Sequence, residues 1–120
     1  MEEQRKLKFR IWDPDENCFR ETCTINQNGI IESSWGKEKY NWICQQFTGL
    51  LDKNNKEIYE GDIIKWLDTN FFDGNWSERE FIEEVRFENG AFYPICQFLS
   101  DDMENCEIVG NVFENSELVK

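Results

Sequence analysis

From Leu7 to Trp12, Leu7, Phe9 and Ile11 alternate with Lys6, Lys8 and Arg10, the period-two pattern of a strand with one wetted face. Asp13-Pro14-Asp15-Glu16-Asn17 follows with turn chemistry, because proline presets its own φ and Asp and Asn side chains bond nearby amides. A return strand is expected over Cys18 to Ile25. Asn28-Gly29 marks the next tight turn, and Ile30-Ile31 resumes extended chain behind it. Residues 33–46, with Trp35-Gly36-Lys37, Tyr40, Trp42 and Ile43, fit either a strand or an irregular aromatic-rich loop.

The stretch from Phe47 to Tyr59 places two apolar patches around the polar turn Asp52 to Lys56, as in a hairpin. Gly61 and Asp62 then precede the apolar run Ile63-Ile64-Lys65-Trp66, a pattern that small barrels use where a loop feeds a bent central strand. Asp68 to Glu80, which contains Asp73-Gly74-Asn75, lacks periodicity and is expected to be a loop, with a short helix over 77–82 behind Ser77 as an alternative. Phe81 to Tyr93 alternates in polarity and contains Asn89-Gly90, the signature of a type I′ hairpin. A polar connector with Ser100-Asp101-Asp102 leads to a last strand over Glu107 to Phe113 and a helical turn at Asn115 to Val119, capped by Asn115.

Strand-forming Ile, Val, Thr, Phe, Trp and Tyr outnumber Ala, Leu and Met about four to one, which favours sheet over helix. With 120 residues, the chain is expected to form one mainly β domain. Thirteen basic against 25 acidic residues leave a net charge of -12, which repels nucleic-acid phosphates and anionic membranes. The imbalance is uneven: residues 1–60 carry 9 basic and 11 acidic side chains, residues 61–120 carry 4 and 14. Between Arg86 and Lys120 no cation interrupts Glu88, Asp101, Asp102, Glu104, Glu107, Glu114 and Glu117, so this region prefers cationic partners.

There is no histidine, which excludes Ser-His-Asp triads, Cys-His dyads and His-ligated zinc within the chain. The cysteines at 18, 23, 44, 96 and 106 match no metal or redox spacing and are expected to be free, buried thiols. The charged first residues lack the apolar core of a signal peptide, and no apolar run is long enough for a membrane span. A soluble, cytoplasmic protein is expected. Paired carboxylates are the only catalytic material in quantity, but Glu83 and Glu84 should point to opposite faces of a strand, and Asp101 and Asp102 read as solvated loop acids. No catalytic residue, cofactor or metal is expected. Of the five tryptophans, Trp35 and Trp76 adjoin glycine or polar residues and are expected to be exposed, where a stacking or contact role is open to them. Core packing accounts for the other three.

Three segments together resemble the YopX-like family of phage and prophage proteins: Lys8 to Asp13, Gln46 to Ile64, and Ile108 to Asn115 with Glu117-Leu118. The middle one follows the pattern YTGLxDKNGKEIYEGDIV, with Phe47 for its tyrosine and Asn55 for its second glycine. The resemblance implies a small SH3-type barrel with additional N-terminal strands and a phage or prophage origin. It implies no activity and carries over no catalytic residue. SH3-like barrels commonly bind peptides or nucleic acid through aromatic-lined loops, which makes Tyr59, Glu60 and Asp62 a candidate contact edge. The competing reading makes Gly61 a backbone bend and Asp62 an acceptor for turn amides.

The function expected from these features is a non-enzymatic accessory that binds a protein partner, a host or phage factor, through its acidic second half. The candidate contacts are Trp35, Tyr59, Glu60, Asp62, Trp76, Asp101, Asp102 and Glu104. The alternative is an acidic decoy that mimics DNA and occupies a host nucleic-acid-binding protein; the near-neutral first half weighs against it. An uncovered strand edge would also permit pairing with a second copy.

Overall fold

The computed structural model describes residues 7–119, excepting the side chains at 70, 71, 100 and 101. The fold is mainly β, as expected, and contacts divide it into two compact units, residues 1–47 and 48–120.

In the first unit, β1 (Phe9–Asp13) is flanked by antiparallel β2 (Cys18–Arg20). Thr24–Ile25 (β3) pairs with Ile31–Glu32 (β4) across the Asn28-Gly29 turn, and β5 (Ile43–Leu51) lies on the other side of β1. The return strand is thus broken after Arg20, and the ambiguous 33–46 stretch is loop first and strand last. Alternation along β1 fails at its start, because Leu7 and Phe9 are exposed while Ile11, Trp12 and Asp13 are all buried. Ile11, Ile31 and Trp42 form the core here, joined by Cys23 and Cys44. Asp13 closes the turn it precedes: Arg20 donates to Oδ2 at 2.7 and 3.0 Å, and Asp15 N–H donates to Oδ1 at 3.0 Å. Burial pushes the Asp13 pKa up, but these bonds outweigh it and leave the carboxyl below its ordinary value.

In the second unit, the end of β5 turns at Asp52–Lys56 into β6 (Glu57–Tyr59), as the turn residues predict. The strand β7 (Asp62–Phe72) follows and forms a hairpin with β8 (Asn75–Glu84). A smaller hairpin joins β9 (Arg86–Glu88) to β10 (Ala91–Tyr93) through Asn89 and Gly90, at φ 50 and 80°. A 3-10 turn at Ile95–Gln97 and a helix α1 (Ser100–Asn105) lead to β11 (Glu107–Asn111), which pairs with the base of β7. A 3-10 turn at Ser116–Val119 ends the described chain. The Asn115 Oδ1 before that turn accepts from Asn111 N–H at 3.2 Å. As expected, β7 is central, with order β11-β7-β8.

The core of this unit joins Ile58, Ile64, Trp66, Val85, Ile95 and Cys106, with Phe81, Phe92, Phe98, Met103 and Ile108 packed against them. Two corrections concern polar segments. Residues 68–80 are two strands joined by the tight turn at 73–74, not an open loop, and 77–82 are not helical, because the β7–β8 ladder runs unbroken from Ile63↔Glu84 to Phe72↔Asn75. The connector at 100–105 is a short helix in which Asp102 Oδ2 accepts from Leu99 N–H at 3.1 Å. The five cysteines are free, but they are not uniformly buried: Cys96 is exposed, whereas burial pushes the Cys106 thiol up to about 12.

Asp52 ties the β5–β6 turn to β11. Its Oδ1 accepts from Asn54 and Lys56 N–H at 2.8 and 2.9 Å, and its Oδ2 accepts from Ile108 N–H at 3.0 Å. Lys53 N–H adds a bond to Cys106 O at 2.8 Å. Burial raises the Asp52 pKa, and the three donors lower it by more.

Candidate functional site

The β7–β8 hairpin is anchored at its base and open at its tip. Ile63, Ile64 and Trp66 are buried, and the Trp66 ring stacks on Phe81 at 5.3 Å and meets Phe98 at 4.6 Å. Beyond that layer every residue of β8 from Asn75 to Glu80 is exposed. The turn is made by Asp73 and Gly74 at φ 53 and 79°, the left-handed pair a type I′ turn requires. At the tip Phe72 is 81% exposed and Trp76 73%. An apolar side chain left in water gains nothing from folding, so a large aromatic exposed on each face of the hairpin tip marks a contact surface rather than core.

Register assigns the faces. The base layer Trp66–Phe81 is followed on its own face by Asp68 opposite Arg79 and Phe72 opposite Asn75. The Arg79 guanidinium lies 5.1 Å from the Phe81 ring. The other face sets Lys65 opposite Ile82, Leu67 opposite Glu80, Thr69 opposite Glu78, and position 71 opposite Trp76. Along β8 that face therefore presents Trp76, Glu78, Glu80 and Ile82 in succession. From Asp68 to Glu84 six carboxylates stand against one cation, Arg79, giving the hairpin a negative field broken by aromatic and aliphatic groups.

Just before β11 begins, Asn105 extends its ladder with a side chain. Oδ1 accepts from Leu67 N–H at 2.7 Å, and Nδ2 donates to Leu67 O at 3.2 Å. The amide thus imitates a strand peptide group at the point where the hairpin leaves the core.

The other residues singled out from sequence do not converge on this site. Trp35 is 74% exposed in the first unit, on the rim of a small cleft with Arg20, Ser33 and Trp42. Tyr59, Glu60 and Asp62 form the tight link between β6 and β7, where Gly61 sits at φ 87° and the buried Asp62 Oδ2 accepts from Tyr59 N–H at 2.8 Å. That geometry supports the turn role for Asp62. Glu104 is exposed on α1, Asp102 is half-buried at its start, and the Asp101 side chain lies outside the described residues. Glu83 and Glu84 alternate along β8, yet both border a shallow groove of about 320 Å³ with Ile82, Arg86 and Val119. Among the described residues no cluster of three or more His, Cys, Asp or Glu is placed to hold a metal, and no helix is long and apolar enough to cross a membrane.

Sequence reading found Trp76 but missed Phe72, Glu78, Glu80 and Ile82. The available signal was Asp73-Gly74 between Phe71-Phe72 and Trp76, a turn dipeptide flanked by strand formers.

A family model described as YopX protein matches residues 8–120. Among solved structures the chain is similar to the crystal structure of protein EF1440 from Enterococcus faecalis, with a TM-score of 0.68 and 22% identity over 98% of this chain and 100% of that one. This likeness supports the fold. No curated protein matches the chain.

Proposed function

The chain belongs to the YopX family, and from that premise we propose that it is a non-enzymatic, phage- or prophage-encoded accessory that binds a protein partner through the β7–β8 hairpin. The observation that carries the reading is the exposure of two aromatics at the tip of an acidic hairpin, Phe72 on one face and Trp76 on the other. Aromatic anchors in a polar surround are the usual composition of a protein-recognition patch. A DNA mimic needs uninterrupted carboxylates, and here Trp76, Arg79 and Ile82 break the series, so protein recognition is favoured over the decoy. The second unit, in this reading, is an SH3-type barrel elaborated by its long hairpin, working in the cytoplasm of a bacterial host.

The test is affinity capture from infected host lysate with the wild-type chain and a Phe72→Ala/Trp76→Ala variant, quantified by mass spectrometry. A partner enriched by the wild type and lost with the variant supports the reading. Capture unaffected by the double substitution refutes it.

A further inference from the structure

Resting on the reading of the hairpin as the contact surface, we infer that its partner adds a basic extended segment as a strand along the outer edge of β8, with cationic side chains opposite Glu78 and Glu80. The ladder itself shows which backbone groups face out. Leu67 gives both its N–H and its C=O to Asn105, away from β8, so Leu67–Glu80 is a non-hydrogen-bonded pair of the β7–β8 ladder. By alternation Thr69–Glu78 is another. In such pairs the main-chain groups of both residues point outward, and the N–H and C=O of Glu78 and Glu80 therefore line the outer edge of β8. Among the described residues no strand pairs with that edge. Near its base, Val119 lines a groove with Ile82, Glu83 and Glu84.

An open edge of this length is a template for strand addition, and the side chains select what is added. Glu78 and Glu80 project from the same face, about 6.8 Å apart along the strand, between Trp76 and Ile82, both exposed. A strand with Lys or Arg at alternate positions and apolar residues outside them would match each in turn, since cross-strand pairs of opposite charge are favourable and like charges opposed are not. The same arithmetic disfavours a second copy of this chain. Two β8 strands set antiparallel about Arg79 would oppose Glu78 to Glu80 on both sides of the centre, between molecules that each carry -12.

The probe is the labelled peptide Val-Thr-Lys-Thr-Lys-Thr-Val, whose order reads the same in both directions and so fits either strand polarity. Its controls are a peptide of the same composition with both lysines at one end, and the original with alternate backbone amides N-methylated. Binding to the full chain is followed by fluorescence anisotropy, and the site by backbone amide shifts and hydrogen exchange. The expected result is protection of the Glu78 and Glu80 amides, with binding weakened about fivefold to tenfold by Glu78→Lys/Glu80→Lys, by N-methylation and by rearrangement of the lysines. Equal binding of the N-methylated peptide, shifts confined to other residues, or absence of binding overturns strand addition. In the last case Glu78 and Glu80 are merely guards against edge pairing. Failure of the peptide with persistent loss of capture by Phe72→Ala/Trp76→Ala defeats this inference alone; capture indifferent to that variant defeats the contact surface too.

Discussion

Asp52→Asn is a one-atom change whose consequence follows from three hydrogen bonds. In the native turn, Oδ1 takes Asn54 and Lys56 N–H and Oδ2 takes Ile108 N–H. Asparagine can keep the first two bonds through its carbonyl oxygen, but its amide group then faces the Ile108 N–H, donor against donor. A hydrogen bond to a charged group contributes about 1.5–3 kcal/mol, so the substitution should cost about 2 kcal/mol at pH 7. The clamp it loosens holds β11, and β11 braces the base of the hairpin. The pH dependence follows from the lowered pKa of Asp52 in the folded chain. A carboxyl whose folded pKa lies below its unfolded value contributes stability that is fully present above the unfolded value of about 3.9 and is lost as pH falls through the folded one. The gap between wild type and Asp52→Asn should therefore be full at pH 7 and shrink below pH of about 4 as the wild type loses its charge. Urea unfolding followed by tryptophan fluorescence at each pH measures it, and subtracting the two proteins removes the contribution of the other acids. A gap under about 0.5 kcal/mol at pH 7, within the range of ordinary surface substitutions, or one that does not vary with pH, would show that the Asp52 carboxylate does not hold β11.

Three further outcomes are expected. Asn105→Ala removes both bonds to Leu67 and should speed exchange of the Leu67 amide about tenfold with a global cost near 1 kcal/mol; unchanged exchange by NMR would contradict the ladder-extension role. Gly110→Ala would place a Cβ 2.6 Å from Asn115 Oδ1, so it should cost about 1–3 kcal/mol in thermal or urea unfolding, and Gly110→Ala/Asn115→Ala should recover part of the loss; a neutral single substitution would show the space is not needed. Iodoacetamide at pH 8 should label exposed Cys96 in the folded protein and reach Cys106, buried with its thiol pushed up to about 12, only on unfolding. Mass mapping that finds Cys106 modified as fast as Cys96 would contradict that burial.

What could be read from sequence was what local chemistry dictates. The Asp52–Lys56 and Asn89-Gly90 turns were legible because Asx bonding and positive φ belong to those residue types, and Asn55 does stand at φ 63°. The strand after Gly61 was legible from its apolar run. The hairpin tip was not, because a ribbon wet on both faces has no inside and outside for polarity to mark, and its order comes from the backbone ladder. The short helix at 100–105 was hidden for a related reason, since six residues span less than two turns and show no period. Along β1, alternation misled because Leu7 and Phe9 lie outside the core that begins at Ile11. For the candidate site, the exposure of Trp35 and Trp76 followed from their neighbours, whereas the grouping of Trp76, Glu78, Glu80 and Ile82 on one face depends on recognising residues 75–84 as strand.

Whether a partner docks at the hairpin tip can be read by site-specific photocrosslinking in living cells. A benzophenone-bearing phenylalanine replaces Phe72 in one protein and the equally exposed Tyr40 of the first unit in another. A discrete protein adduct is expected on irradiation from position 72 and none from position 40. Adducts from position 40 alone, or none from position 72 in cells where capture recovers a partner, would contradict docking at the tip.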